Sequence, residues 1–113
     1  MSDSCLFCRI VRGDIPATIV AESKSSIAFR DVAPKAPVHC LVVPRLHVAS
    51  LDATHDAALL GDLLLLAAQV ARQEGIAENG YRVVANTNGD GGQTVFHLHL
   101  HVLGGRGLSW PPG

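Results

Sequence analysis

Between residues 59 and 71 the apolar side chains Leu59, Leu60, Leu63, Ala67, Val70 and Ala71 recur at three- and four-residue intervals, the spacing that lines one face of a helix. Gly75 supplies the stop, and Asp52 or Thr54 is expected to cap the start. Elsewhere the apolar runs are short. Residues 18–22 and 27–30 have the length and character of strands, while His39-Cys40-Leu41-Val42-Val43, closed by Pro44, is a continuous apolar run suited to a strand covered on both faces. Residues 81–85 again read as a strand, and residues 95–102 alternate strictly. A short helix is expected over 6–11, ended by Gly13. The two prolines of 31–37 make a turn, and 86–93, rich in Gly, Asn and Asp, a loop. Strands outnumber helices, so the expected class is α+β with an antiparallel sheet of five strands, one long helix and one short N-terminal helix.

Length and charge narrow the picture. A chain of 113 residues suits one domain, 1–113, with no repeat or low-complexity stretch to divide it. A domain of this size gains from pairing with a second copy, so a homodimer is a reasonable expectation. A formal charge of −1 provides no basic field for long nucleic acid, and any nucleotide partner is expected to be small. No basic segment precedes a long apolar run, and the apolar part of 59–71 is too short and interrupted to span a bilayer. The expectation is a soluble, cytoplasmic chain without a membrane partner.

The stretch richest in chemistry is His97-Leu98-His99-Leu100-His101. A strand sends alternate side chains to one face, which sets three imidazoles in a row at roughly 7 Å per step and turns the leucines to the core. One such histidine is most simply part of a polar face. Three in register can supply a nucleophile, a proton relay and a metal ligand within one small surface, because imidazole changes protonation near neutrality. Immediately upstream, Asn88-Gly89-Asp90-Gly91-Gly92-Gln93-Thr94 is a loop whose glycines allow backbone N–H groups to approach an anion. The Gln93 amide and the Thr94 hydroxyl are candidate donors to phosphoryl oxygens.

These pieces resemble the histidine triad family, in its nucleotide-binding protein branch. The resemblance runs through Ile15-Pro16-Ala17, Ala33-Pro34-Lys35-Ala36-Pro37-Val38-His39, Val43-Pro44-Arg45-Leu46-His47, Gly80-Tyr81-Arg82-Val83-Val84, Asp90-Gly91-Gly92-Gln93, the alternating histidines and the ending Trp110-Pro111-Pro112-Gly113. It implies transfer of a nucleotidyl group to a histidine and then hydrolysis, with nucleoside phosphoramidates such as adenosine 5′-phosphoramidate as substrates. Carried over by position, His99 is the nucleophile, with His101 and His39 in support. Asn86, Gly92, Gln93 and Thr94 match positions at the phosphate, and Asp31 matches a carboxylate at the ribose. Leu6, Phe7, Phe29, Val32 and Leu41 resemble the apolar walls around a purine, although core packing requires the same residue types. Thr94 stands where a serine is frequent in this branch and keeps the hydroxyl.

Three cysteines is an odd count. Cys5-x-x-Cys8 in a chain without a secretory signal reads as metal or redox chemistry rather than a disulfide framework, and no βαβ pattern surrounds it to favour redox. Cys40 reads as a packed core thiol, and His55 as a solvated residue. Two thiolates do not close a tetrahedral site. The resemblance implies His47 and His97 as the other two ligands of a structural Zn²⁺. It also implies a homodimer in which the sheet continues from one copy to the other, with Trp110 reaching the partner's active site. Two rival functions stand beside phosphoramidate hydrolysis: cleavage of dinucleoside polyphosphates by a related branch, and a nucleotide-binding regulatory module.

Overall fold

The computed structural model describes residues 4–113. The order is α1 (Leu6–Val11), β1 (Ile19–Glu22), β2 (Ser26–Arg30), β3 (Val38–Pro44), α2 (Ala57–Gln73), β4 (Tyr81–Val84) and β5 (Leu100–Gly104). The strands form one antiparallel sheet in the order β1-β2-β3-β5-β4. This is the expected α+β architecture, five strands with one long and one short helix. Among the described residues no helix is long and apolar enough to cross a membrane.

Alternation along β3 and β5 sorts their side chains between the two faces of the sheet. Cys40, Val42, Leu100 and Val102 join Leu63, Leu66, Ala67 and Val70 of α2 in the main core. Leu41 and Val43 turn the other way and pack with Ile27, Phe29 and Phe7. Each valine, leucine, isoleucine or phenylalanine so buried contributes on the order of 1.5–3 kcal/mol, and the strand pattern rather than helix propensity decides which side of the sheet receives it. Cys40 is fully buried in the main core, as its apolar neighbours imply. Asp62 of α2 accepts hydroxyl hydrogen bonds from Ser23 and Ser25 at 2.5 and 2.6 Å, which fastens the helix to the β1–β2 turn.

Two expectations need correction. Neither Asp52 nor Thr54 caps α2: Asp56 does, its carboxylate accepting from the Leu59 N–H. Residues 51–53 form a separate turn of 3₁₀ helix, so the chain enters α2 one turn later than the polar residues suggest. The stop is as expected, with Gly75 at φ +76, a left-handed conformation that glycine adopts without penalty. The second correction concerns the last strand, which begins at Leu100 rather than at residue 95. In the β3–β5 register, Val42 faces Leu100, so two steps further Leu98 stands opposite Pro44. Proline has no N–H to give, and the chain turns away after it. Leu98 N–H donates instead to the Val48 carbonyl, and residues 97–99 keep the alternating arrangement without the ladder.

Candidate active site and metal centre

His97, His99 and His101 share the side of the sheet away from α2, because Leu98 and Leu100 between them are buried in the main core. Their surroundings differ. His101 lies on β5 opposite Leu41, and His39 of β3 is opposite Leu103, which makes the two imidazoles diagonal neighbours. His39 Nε2 and His101 Nδ1 are 2.9 Å apart. The Lys35 backbone N–H donates to His39 Nδ1 at 3.0 Å, so that nitrogen must be an acceptor and the proton sits on Nε2. His39 then donates to His101 Nδ1, which leaves the His101 proton on its outward Nε2. Burial pushes His101 down to about 4, helped by the neighbouring His99 and His39. Burial also lowers His39, against an opposing pull from Asp31. Both rings are therefore neutral near pH 7, as the hydrogen-bond pattern requires.

The same logic fixes His99. Its Nδ1 is 2.7 Å from the His97 carbonyl oxygen, which can only accept, so Nδ1 carries the hydrogen and Nε2 the lone pair. Phe7 meets the His99 ring edge-on, with centroids 5.0 Å apart and planes at 86°. His99 and His101 open onto a cleft of about 330 Å³ that is also lined by Leu6, Phe7, Phe29, Asp31, Val32, Leu41 and Thr94. The volume is at the small end of ordinary ligand sites. Ile10, Ile15, Pro16, Ala17, Arg30 and Val95 complete the lining, and sequence reasoning did not assign them to the site. For residues 15–17 a signal existed, since they belong to the motifs that carry the resemblance. Asp31 holds its own loop by accepting from the Ala33 N–H at 2.8 Å, with its other oxygen 3.4 Å from His39 Nε2.

The glycine loop is arranged otherwise than an anion cradle. The Gly92 and Gln93 N–H groups donate to the carbonyls of Gly89 and Asn88. The Gln93 side chain is buried; its amide donates to the carbonyls of Ala49 and Val95 and its oxygen accepts from the Asn88 N–H. Both residues thus shape the loop, and Thr94 alone of the expected phosphate contacts from residues 92–94 lines the cleft. Gly91 is needed for the tightness of this turn, since a side chain there would collide with the Thr87 carbonyl. Asn86 lies two residues beyond Val84, which pairs with His101, and is not among the residues that line the cleft. Trp110 is largely exposed and stacks under the Arg82 guanidinium at 5.9 Å, apart from this cleft.

His97 has no share in the cleft. Cys5, Cys8, His47 and His97 bring four ligand atoms within 4.8 Å of one another. His97 Nδ1 lies 3.3 Å from Cys5 Sγ and 3.5 Å from Cys8 Sγ, and His47 Nδ1 lies 3.2 Å from Cys8 Sγ. A tetrahedral Zn²⁺ with ordinary bond lengths separates sulfur and nitrogen ligands by roughly 3.6 Å, so the donor set fits. The His97 Nε2–H donates to the Pro44 carbonyl at 2.9 Å, the outer hydrogen bond that turns Nδ1 into a ligand. Asp31, His39 and His101 also bring three ligand atoms close together, but their chemistry opposes a metal. Ligation through His39 Nε2 would move its proton to Nδ1, against the Lys35 N–H. This group reads as a hydrogen-bonded relay.

The site thus brings together an imidazole nitrogen with its lone pair toward an apolar cleft, a hydrogen-bonded pair of neutral histidines beside it and a carboxylate at the edge, the kinds of group that nucleophilic transfer chemistry uses. The HIT domain family model matches residues 12–108. A purine nucleoside phosphoramidase of Escherichia coli is 45% identical over 111 residues, 96% of this chain and 92% of that protein. Among solved structures, a HIT family hydrolase from Legionella pneumophila superposes with a TM-score of 0.94 at 50% identity, covering 97% of this chain and 100% of that one. A Zn-bound histidine triad family protein from Mycobacterium smegmatis gives a TM-score of 0.81 at 32% identity, covering 95% and 81%. The chain belongs to the HIT family, and its relatives make it a hydrolase of that family.

Proposed function

We propose that the protein hydrolyses nucleoside 5′-phosphoramidates through a nucleotidyl-His99 intermediate. The observation that carries this reading is the 2.7 Å bond from His99 Nδ1–H to the His97 carbonyl, which holds the Nε2 lone pair available for attack. Nε2 bonds to the α-phosphorus as the P–N bond breaks, and the leaving nitrogen takes a proton from a water held by the neutral His39–His101 pair and departs as the amine. The hydroxide left from that water then opens the bond between phosphorus and Nε2, which releases nucleoside monophosphate and restores the His99 lone pair. The Thr94 hydroxyl donates to a phosphoryl oxygen, where fixed donors offset charge that spreads during transfer. Asn86, two residues past the strand that pairs with His101, is assigned a contact to the phosphate or the nucleophile, with Gly92 and Gln93 shaping the loop that delivers Thr94. Asp31 accepts from the ribose hydroxyls, and Leu6, Phe7, Phe29, Val32 and Leu41 enclose a purine. The E. coli phosphoramidase relative supports this choice of substrate.

Cys5, Cys8, His47 and His97 would hold a structural Zn²⁺, whose chemistry is to bind these four residues without an open position. The Zn-bound M. smegmatis relative supports this assignment. The reading includes a cytoplasmic homodimer joined along α2 and the outer edge of β4. It is supported by an apolar hollow of about 280 Å³ formed with Leu60, Leu64 and Val83, and by the exposure of Leu65. In such a dimer Trp110 would meet the partner's cleft.

The test is to incubate the protein with adenosine 5′-phosphoramidate, quench early and search for adenylyl-His99 by mass spectrometry. The adduct on His99, together with faster turnover of the phosphoramidate than of diadenosine polyphosphates, is the expected result. A preference for the dinucleotides would move the assignment to that reaction, and an adduct elsewhere would remove His99 from its role.

A further inference from the structure

We infer that His97 couples the Cys5, Cys8, His47 and His97 centre to the nucleophile, so that filling the centre sets the tautomer of His99 and the shape of the base wall. The inference rests on the reading of His99 as nucleophile, while the contacts behind it are independent of that reading.

His97 has obligations at both ends. Its ring sits between the Cys5 and Cys8 thiols and the Pro44 carbonyl, and its own main-chain carbonyl accepts the Nδ1–H of His99. The side chain is fully buried. The ring fixes the position of the His97 Cα, and the Leu98 N–H on the same peptide donates to the Val48 carbonyl at 2.6 Å, so the carbonyl shifts only when one of these two anchors does. A carbonyl so held keeps the proton of His99 on Nδ1, and with it the lone pair on Nε2.

A second link runs through α1. Cys5 and Cys8 bracket Leu6 and Phe7, two residues that line the cleft. The Phe7 ring touches His99 edge-on and packs against Phe29 at 5.6 Å. A helix of six residues is too short to persist by itself. What fastens α1 to the sheet is the packing of Phe7, with Ile10 and Val11 partly buried beside it, together with the two thiols facing His47 and His97. With the centre filled, four residues from three parts of the chain become one rigid corner. With it empty, α1 keeps only its apolar contacts through Phe7, Ile10 and Val11, and the base wall and the ring packed on His99 loosen together.

The test compares protein loaded with one equivalent of Zn²⁺ and the same preparation stripped by a chelator. The readouts are the ¹⁵N shifts of the His99 ring and the affinity for adenosine monophosphate by calorimetry. The loaded form is expected to show one His99 tautomer with Nδ1 protonated. The stripped form should show exchange between tautomers and bind the nucleotide about tenfold more weakly, a loss of the size seen when ligand-orienting contacts are removed. Both changes should reverse on adding zinc. His47→Ala, outside the cleft, should reproduce the stripped state without chelator.

Unchanged His99 shifts with nucleotide affinity within about twofold would overturn the inference, as would a protein that takes up no zinc. Melting of the whole sheet on stripping would overturn it too, because the centre would then serve the entire fold. Failure of the nucleophile reading is distinguishable: no nucleotidyl-His99 would form in the loaded protein, yet the tautomer would still follow the metal.

Discussion

Two groups of imidazoles lie on one short segment in opposite surroundings. His97 is sealed, with Nε2 on the Pro44 carbonyl and Nδ1 among thiols. His99 and His101 each commit one nitrogen inward and turn the other toward the cleft. The residue type is the same and the spacing regular, so neither assigns a role. The difference lies in the partner of the second ring nitrogen, which is thiol sulfur for His97 and the cleft for His99 and His101, and the proposed roles rest on that difference.

The most severe way to break this distinction is His99→Asn. Turnover of adenosine 5′-phosphoramidate should fall by at least about 10⁴-fold, about 5.5 kcal/mol of barrier. Binding of adenosine monophosphate should stay within a few-fold, since the apolar walls Leu6, Phe7, Phe29, Val32 and Leu41 are untouched. Steady-state rates and calorimetry on the same preparation decide it. A variant with ordinary turnover would mean that an exposed lone pair at His99 has no chemical use.

A smaller loss separates relay from nucleophile. His101→Gln or His39→Gln should cost about 10²- to 10³-fold, within the range of general acid catalysis. The loss should be concentrated on substrates whose leaving amine is strongly basic. With a leaving group that departs without a proton, the variants should approach the parent rate. A uniform loss across leaving groups would show that the pair positions substrate and moves no proton.

Much of this was legible in the residues, for physical reasons that also explain the gaps. The period-two pattern of 97–101 reports which side of a sheet a residue takes, and all three histidines take the expected one. The pattern is blind to where the ladder stops, because that depends on Pro44 lying opposite Leu98 after the strands have paired. The cap of α2 was missed because Asp52, Thr54 and Asp56 all suit the position, and the 3₁₀ turn over 51–53 chooses among them. Gln93 was read as a donor to substrate, yet its amide is taken by backbone carbonyls from two segments. The Lys35 N–H that sets the His39 tautomer could not be seen at all, because every residue but proline carries the same donor.

Titration sharpens the comparison further. A histidine with a lowered folded pKa binds its proton first in the unfolded chain. Its contribution to stability is complete above the ordinary value near 6.5 and is lost as pH falls through that value toward the folded one, about 4 for His101. His39 is lowered as well, chiefly by burial, and acts in the same direction. Urea midpoints should therefore be lower at about pH 4.5 than at about pH 7.5. His101→Asn should flatten part of this slope. A variant that keeps the full slope would assign the titration to other groups.

The smallest effect tests whether the two corners are separate. Phe7 stands between them, edge-on to His97 at 6.0 Å and to His99 at 5.0 Å. Phe7→Leu removes those ring contacts while keeping an apolar side chain of similar reach, at a cost of about 1 kcal/mol. Chemical denaturation with and without bound zinc gives the four states of a cycle. Independent corners would make the two losses add within about 0.3–0.5 kcal/mol, and corners joined through α1 would leave a larger coupling energy. The sign follows from the contacts: with the metal removed, α1 depends more heavily on Phe7, so Phe7→Leu should cost more in the stripped protein than in the loaded one.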